Sequence, residues 1–208
     1  MNTLAPSLYR DDIDQAMVDQ ARVDGRIAWD IETTGLDWNA DRIGTCQLAV
    51  GGHIAVVQLD DWTVPDRLRD LLEDSRILKI FHHAPFDLRF MAHRWKAEPA
   101  NVACTKIASK ILEPGADHAA YSLKPVLERY LGVVIDKTQQ RSDWMRQSLS
   151  NEQVAYAATD VVYLSDLYDQ LMLRAQRTGA DELIRASYEY LPTRVKLDLL
   201  GSGDVFAY

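Results

Sequence analysis

Two apolar segments joined by two glycines limit, more than any other feature, how this chain can fold. Residues 43–50 and 53–59 each have the length and apolar composition of a buried strand. The pair Gly51-Gly52 between them is typical of the two-residue turn that closes a β-hairpin. Residues 26–32 and 77–82 are apolar in the same way, so the sequence predicts four strands in the first half of the chain.

Helical periodicity dominates the remainder of the chain. The predicted helices cover residues 13–22, 65–74, 85–94, 105–112, 122–131, 151–175 and 181–190, the last being the final helix. Ser150 is a suitable N-cap for residues 151–175, with Gln153 completing a capping box. The polar segment 139–149 has no assignment. Early strands followed by helices predict an α/β fold, a mixed sheet with helices packed on its faces.

Length, charge and cysteine content narrow the class of protein. A chain of 208 residues suits one compact domain. The net charge of −8 argues against a protein that binds long nucleic acid through nonspecific phosphate contacts. It does not exclude a nuclease with a metal site. Cys46 and Cys104 are the only cysteines, which excludes a disulfide framework or a thiolate metal cage and favours the cytoplasm. Residues 1–12 lack the pattern of a signal peptide, and no segment has the ~20 apolar residues of a membrane span.

One strand carries two acids. Side chains at i and i+2 of a strand point the same way, so Asp30 and Glu32 project side by side before the turn at Thr33-Thr34-Gly35. Carboxylates in apolar surroundings need a compensating cation, which favours a divalent metal site. The alternative interpretation is two polar positions on the exposed face of an edge strand.

Two further segments carry acids in apolar surroundings. Asp87 follows Pro85 at the start of a predicted helix, where the helix dipole alone would also favour an acid. Tyr156 and Asp160 are four residues apart and share a helix face. A core tyrosine beside a surface aspartate is the alternative for that pair. A tyrosine of ordinary pKa, ~10, suits orienting a water better than deprotonating it.

Taken together, these three segments resemble the three motifs of the DEDD superfamily of 3′–5′ exonucleases, in its tyrosine-bearing branch. Residues 136–144, 149–150 and 153 resemble the stretch before the third motif in ribonuclease D. Residues 104–110, 191–194 and 197–201 are similar to the nanoRNase C family of bacterial oligoribonucleases. The resemblance covers roughly residues 26–206. It departs at His83, where the family usually has asparagine, and in length, since ribonuclease D continues into helical nucleic-acid-binding domains.

The resemblance implies a ribonuclease H-like mixed sheet flanked by helices, in a single exonuclease domain over residues 1–208 with its core at 26–192. It implies that Asp30, Glu32, Asp87 and Asp160 hold two divalent ions, Mg²⁺ or Mn²⁺, and that Tyr156 orients the attacking water. Oxygen ligands suit such hard cations better than zinc. The product would be a nucleoside 5′-monophosphate.

Candidate substrate contacts lie near each motif. Thr33 and Leu36 would line the pocket of the 3′-terminal nucleotide, with Leu36 as a wedge against a base or, alternatively, as a core leucine. His83 and Phe86 would contact substrate or pack structurally. The remaining candidates lie in the polar stretch before the third motif and are Lys137, Arg141, Ser142 and Trp144. The alternative interpretation of that stretch is a solvated loop.

The expected function is a cytoplasmic 3′–5′ exoribonuclease acting on very short RNA, dinucleotides included. The alternatives are a ribonuclease D-like exonuclease on longer RNA, a 3′–5′ DNA exonuclease, and an inactive nucleic-acid-binding domain. The apolar tail, residues 193–208, would pack on its own domain or join subunits. The resemblance favours the second arrangement, a homo-oligomer and specifically an octamer.

Overall fold

The computed structural model describes residues 5–60, 63–136 and 142–207, and a six-stranded mixed sheet forms its centre. The strand order is β1-β4-β3-β2-β5-β6. Strand β3 pairs antiparallel with both β2 and β4. Strand β1 runs parallel to β4, and β5 and β6 run parallel to β2. The strands are β1 (Ser7–Arg10), β2 (Arg26–Thr33), β3 (Ile43–Val50), β4 (His53–Gln58), β5 (Leu78–Phe81) and β6 (Val102–Cys104).

Nine α-helices lie within the described residues and cover the sheet. They are α1 (Gln15–Asp24), α2 (Asp66–Glu73), α3 (Ala84–Trp95), α4 (Thr105–Leu112), α5 (Leu123–Leu131), α6 (Asn151–Val162), α7 (Leu164–Thr178), α8 (Asp181–Glu189) and α9 (Leu191–Leu199). A short 3₁₀ helix spans His118–Tyr121. Helix α6 packs on β2, β3 and β4, and α7 packs on α4 and α5. Within these residues, no helix combines the length and apolar composition that a membrane crossing needs.

The predicted hairpin is confirmed. Val50 pairs with His53, so only two residues form the turn between β3 and β4. Both are in the left-handed region, Gly51 at φ 55° and Gly52 at φ 80°. A two-residue turn with positive φ at both positions matches the twist of the flanking strands, and glycine adopts it without steric cost.

Two strands escaped prediction because they are short and lie at the sheet edges. Strand β1 has four residues and is mostly exposed, so it shows no apolar alternation. Strand β6 has three buried residues, Val102 to Cys104, too few to show a period. Each is recognisable only from its neighbour, β4 for β1 and β5 for β6.

The prediction of one helix over residues 151–175 is wrong. Two helices, α6 and α7, meet at Tyr163, whose backbone has φ −103° and ψ −2°. The β-branched pair Val161 and Val162 at the junction has low helix propensity. Splitting the helix lets α6 lie on the antiparallel strands while α7 turns toward α4 and α5. The predicted capping box of Ser150 and Gln153 is confirmed.

The prediction that residues 181–190 form the final helix is also wrong, because α9 follows directly. Pro192 lies in the first turn of α9, where a missing N–H leaves no helical hydrogen bond unmade. Helix α9 packs against α3 and α8. Residues 193–199 of the apolar tail are therefore helical and pack on their own domain.

A lysine is buried near the start of β5. Lys79 of β5 is completely buried, and its Nζ donates a hydrogen bond to the carbonyl oxygen of Asp74 at 2.6 Å. Burial lowers the pKa of Lys79 from 10.5 to about 8, with Asp74 acting weakly in the opposite direction. Keeping this amine charged at neutral pH therefore costs stability.

We expect Lys79→Met to stabilise the protein by about 2 kcal/mol at pH 7, the relief of the charge being partly offset by the lost hydrogen bond. Because the folded-state pKa is below the unfolded value, the unfolded chain binds more protons between pH 8 and 10.5. Wild-type stability should therefore gain from this group as pH rises through that window, and Lys79→Met should not. Urea unfolding at several pH values measures both effects. The exposed Lys124→Met is the control, and equal behaviour of the two variants would contradict the prediction.

Candidate active site

Three carboxylates converge at the carboxyl end of β2. Asp30 and Glu32 extend from the strand, and Asp160 extends from α6, which packs across it. One oxygen from each of the three lies within 4.8 Å of the others. Asp160 is 5% exposed, and Asp30 and Glu32 are half-buried. The edge-strand alternative is wrong because β2 lies between β3 and β5 in the interior of the sheet.

Asp87 approaches the same strand from the first turn of α3. Its carboxylate is 3% exposed, and Oδ1 accepts a hydrogen bond from the backbone N–H of Ile31 at 3.3 Å. Ile31 lies between the two acids of β2. Burial raises the pKa of Asp87 to about 8, although hydrogen bonds from its own N–H and that of Ile31 oppose the rise. The helix-dipole interpretation alone does not account for a buried carboxylate that reaches the neighbouring strand.

These carboxylates fit a divalent cation. The convergent ligand atoms are all oxygens, which hard cations such as Mg²⁺ and Mn²⁺ prefer. Several buried negative charges at this spacing repel one another, and a cation relieves the repulsion. Asp30, Glu32 and Asp160 form the close cluster among the described residues, and Asp87 lies beside it across Ile31.

Tyr156 faces this cluster from α6. Its hydroxyl is hydrogen-bonded to Asp160, one helical turn further along. Burial raises the pKa of Tyr156 far above its ordinary value, and the charges of Asp160, Glu32 and Asp30 raise it further. The phenol therefore keeps its proton at neutral and alkaline pH. Its chemical capacity is to donate or accept a hydrogen bond, and it is not available as a base.

The ring of Tyr156 packs in a small apolar cluster separate from the main core. We call it the tyrosine cluster; its members are Val56, Trp144, Tyr156 and Ala157, with Leu149 and Val154 at its margin. Trp144 is 2% exposed, and its ring centroid lies 5.9 Å from that of Tyr156. The solvated-loop alternative is therefore wrong for Trp144. Its contact with substrate stays a prediction.

The loop after β2 presents one leucine to solvent. Leu36 is 84% exposed, so its interpretation as a core residue is wrong. The Thr33 hydroxyl donates to the carbonyl of Gly35 at 2.6 Å. The Asp41 carboxylate accepts from the N–H of Asp37 at 2.9 Å and fills the space where Gly35 lacks a side chain. Leu36 therefore lies in the loop at residues 34–42, which we call the braced loop and which begins directly after Thr33, the last residue of β2.

His83 and Phe86 lie at the start of α3, and their rings stack at 6.2 Å. Phe86 also packs on Phe90 at 5.0 Å. Although the His83 ring keeps exposed surface, withdrawal from water lowers its pKa to about 4, and the charges of Lys106, Arg89 and Lys110 add to this. His83 is thus neutral at pH 7. The sequence prediction missed the three cations, although two of them recur at helical spacing within residues 104–110.

Ser142 is half-buried beside Asp143, whereas Lys137 and Arg141 lie outside the described residues. Sequence reasoning also missed the residues that hold this segment in place. Gln153 donates through Nε2 to the Asp143 carbonyl at 3.0 Å, and Gln58 donates through Nε2 to the Arg146 carbonyl. The capping box pointed to Gln153, but nothing in the sequence pointed to Gln58.

Comparison with known proteins identifies the family. A sequence profile described as 3′–5′ exonuclease matches residues 10–176. The chain belongs to this 3′–5′ exonuclease family. Ribonuclease D of Shewanella sp. (strain ANA-3) is 36% identical to this exonuclease over 139 residues, which are 65% of this chain and 34% of that protein. The resemblance to ribonuclease D is confirmed.

Solved structures show the same fold. The structure of Brucella melitensis NrnC bound to pGG is 38% identical, covers 99% of both chains and has a TM-score of 0.90. NrnC has also been solved with bound Mg²⁺, at 37% identity and a TM-score of 0.89. Escherichia coli RNase D, described as an exoribonuclease involved in structured RNA processing, is 25% identical with a TM-score of 0.75 over 92% of this chain and 51% of its own. This exonuclease thus spans a third to a half of the ribonuclease D proteins but almost all of NrnC.

Proposed function

We propose that this exonuclease removes nucleotides from the 3′ ends of very short RNA, dinucleotides included, and releases nucleoside 5′-monophosphates. The observation that carries the proposal is the match, over 99% of both chains, to NrnC bound to pGG, which in nucleotide shorthand is a 5′-phosphorylated dinucleotide. The match covers the carboxylate cluster, the braced loop and helix α9 together.

The residues suit hydrolysis of a phosphodiester. Asp30, Glu32, Asp87 and Asp160 would hold two divalent ions, and the NrnC structure with bound Mg²⁺ supports this assignment. When bound, Mg²⁺ or Mn²⁺ supplies Lewis-acid stabilisation of the phosphate and lowers the pKa of the attacking water. The Tyr156 hydroxyl orients that water through a hydrogen bond. The water oxygen bonds to phosphorus and releases one proton to solvent, the bond to the preceding 3′ oxygen breaks, and that oxygen takes up a proton from solvent.

A product ladder tests the proposal. The protein is incubated with 5′-labelled RNAs of two to about ten nucleotides, first with Mg²⁺ and then with Mn²⁺. We expect the dinucleotide to disappear fastest and the longer chains to be cut slowly. Even degradation of all lengths would favour the second candidate, a ribonuclease D-like enzyme, which the curated relatives support. Faster cutting of a matched DNA dinucleotide would overturn the RNA assignment.

Leu36 is proposed to wedge against a base of the substrate. Because Leu36 is 84% exposed, we expect Leu36→Ala to change the free energy of unfolding by less than about 0.5 kcal/mol. We expect it to raise KM for the dinucleotide about tenfold, the equivalent of burying one leucine side chain against a base. Steady-state kinetics and urea unfolding measure the two quantities. Leu173→Ala, a partly exposed leucine on α7, is the control, and an unchanged KM for Leu36→Ala would remove the wedge.

We also infer that the protein is a homo-oligomer, specifically an octamer, joined through its carboxyl-terminal segment. Leu200, Val205 and Phe206 of that segment are 79%, 51% and 72% exposed, and an interface between subunits would bury these apolar side chains. Light scattering tests this inference, and a monomer at working concentration would contradict it. A cytoplasmic location stays a prediction.

A further inference from the structure

We propose that Trp144 is a positioning residue that sets where the Tyr156 hydroxyl lies over the carboxylates. The Trp144 ring contacts the Tyr156 ring, with centroids 5.9 Å apart and planes inclined by 37°. Trp144 is 2% exposed and Tyr156 is 6% exposed, so each ring is confined by its neighbours. The proposal rests on the proposed role of Tyr156 and goes beyond it by assigning what controls that role.

The tyrosine cluster contains one other large ring, that of Trp144. The main core does not include Tyr156 among its buried members; its fully buried companions are Val56, Trp144 and Ala157. Trp144 is much the largest of these. Cutting back the Trp144 ring therefore leaves space beside the Tyr156 ring that the smaller side chains of the cluster cannot fill, and the Tyr156 ring shifts into it.

The position of Trp144 is in turn set by a glycine at a sheet irregularity. The pairing of β2 with β3 shifts register between Glu32 and Thr33, which pair with Thr45 and Ile43 and leave Gly44 between them. A Cβ at Gly44 would lie 2.8 Å from both the Cβ and the carbonyl oxygen of Trp144. Only glycine permits this close approach. The irregularity therefore joins Trp144 to the strand segment that carries Glu32.

Hydrogen bonds tie the Trp144 segment to three other elements. Gln153 of α6 donates to the Asp143 carbonyl at 3.0 Å, and it lies one turn before Tyr156 on the same helix. Gln58 of β4 donates to the Arg146 carbonyl, and Arg10 of β1 donates to the Gln147 carbonyl at 3.0 Å. The backbone on both sides of Trp144 is thus anchored, so its ring is a fixed support.

The contact between the rings is apolar packing. The buried Nε1–H of Trp144 has no hydrogen-bond partner among the described residues. Trp144→Phe therefore removes ring area without breaking a hydrogen bond within that part of the chain. This property makes the substitution a direct test of the packing.

A double-mutant cycle on short RNA tests the proposal. We expect Trp144→Phe to lower kcat about tenfold or more with KM nearly unchanged, since a displacement of about 1 Å at a reacting group is costly. If Trp144 acts through Tyr156, the double variant with Tyr156→Phe should be no slower than Tyr156→Phe alone. Multiplied effects would overturn the proposal. A raised KM at unchanged kcat would instead make Trp144 a substrate contact and would overturn it equally.

Two further variants separate positioning from general damage. Gly44→Ala should lower kcat as Trp144→Phe does, because the added Cβ must push Trp144 away. Trp95→Phe changes another buried tryptophan, and any rate loss that it causes should multiply with the loss from Tyr156→Phe in the double variant. If the protein cuts some other nucleic acid, the proposed substrate is wrong. The double-mutant cycle is then measured on that nucleic acid and still decides the role of Trp144. If Tyr156→Phe has no effect on the rate, both the tyrosine role and the positioning role are wrong.

Discussion

Replacing Asp30 by asparagine is expected to slow hydrolysis of short RNA by about 10³-fold or more. Asparagine keeps the shape of the side chain but removes one negative charge from the carboxylate cluster, so a divalent ion loses part of its charge compensation. A metal ion stabilises the transition state by several kcal/mol, and losing that stabilisation lowers the rate by about this factor. Single-turnover rates on a labelled dinucleotide with saturating Mg²⁺ measure the effect.

In the absence of metal, Asp30→Asn should be at least as stable as the wild type, although it is less active. Asp30 lies in a cluster of like charges within 4.8 Å, and removing one of them relieves repulsion in the metal-free protein. Its Tm without metal should equal or exceed that of the wild type, and the rise in Tm on adding Mg²⁺ should be much smaller. Asp19→Asn removes the same charge from an exposed site on α1 and should change neither quantity. Wild-type activity in Asp30→Asn would overturn the carboxylate cluster as the catalytic centre.

Tyr156→Phe is expected to lower kcat about 10²-fold while leaving metal binding intact. The substitution removes the hydroxyl that would orient the attacking water, and positioned hydrogen-bonding groups contribute effects of this order. The phenol is not one of the clustered carboxylates, so the rise in Tm with Mg²⁺ should remain. This combination separates Tyr156→Phe from Asp30→Asn, which should lose both properties.

The raised pKa of Tyr156 adds a test of its role. Since burial and the neighbouring carboxylates keep the phenol protonated, wild-type kcat should show no loss from tyrosine ionisation even above pH ~10, the ordinary pKa of a tyrosine. Tyr130→Phe is the matched control, because its hydroxyl also lies near a carboxylate, that of Glu113 at 3.4 Å, but away from the cluster. If Tyr156→Phe abolished the Mg²⁺-dependent rise in Tm, the residue would belong to the metal site.

Local periodicity explains why much of the fold could be predicted. The Gly51-Gly52 turn, the placement of two acids at i and i+2 on β2, and the capping box of α6 each depend on residues within a few positions of one another. The predictions failed where neighbours in space decide the structure. Strand β1 exists because β4 pairs with it, and the break at Tyr163 lets one helix pack on two surfaces.

The candidate site could likewise be predicted only where it depends on residues close together in the chain. Motif spacing placed Asp30 beside Glu32 and Tyr156 beside Asp160, since these pairs follow from strand and helix geometry alone. Sequence reasoning treated Trp144 as a substrate contact or a loop residue, because a polar segment gives no sign of a buried ring. Its burial depends on Gly44, a hundred residues earlier, and on Gln58 and Gln153.

The sequence by itself determined the kind of chemistry this protein performs, because the acids and the tyrosine stand at spacings that the regular periods of strand and helix convert into shared faces. Only the tertiary structure decided how those groups meet. It brings Asp160 to Asp30 and Glu32, buries Asp87 against Ile31, and supports Tyr156 on Trp144. The physical reason is that such contacts join residues distant in the chain, and their geometry follows from the packing of whole elements.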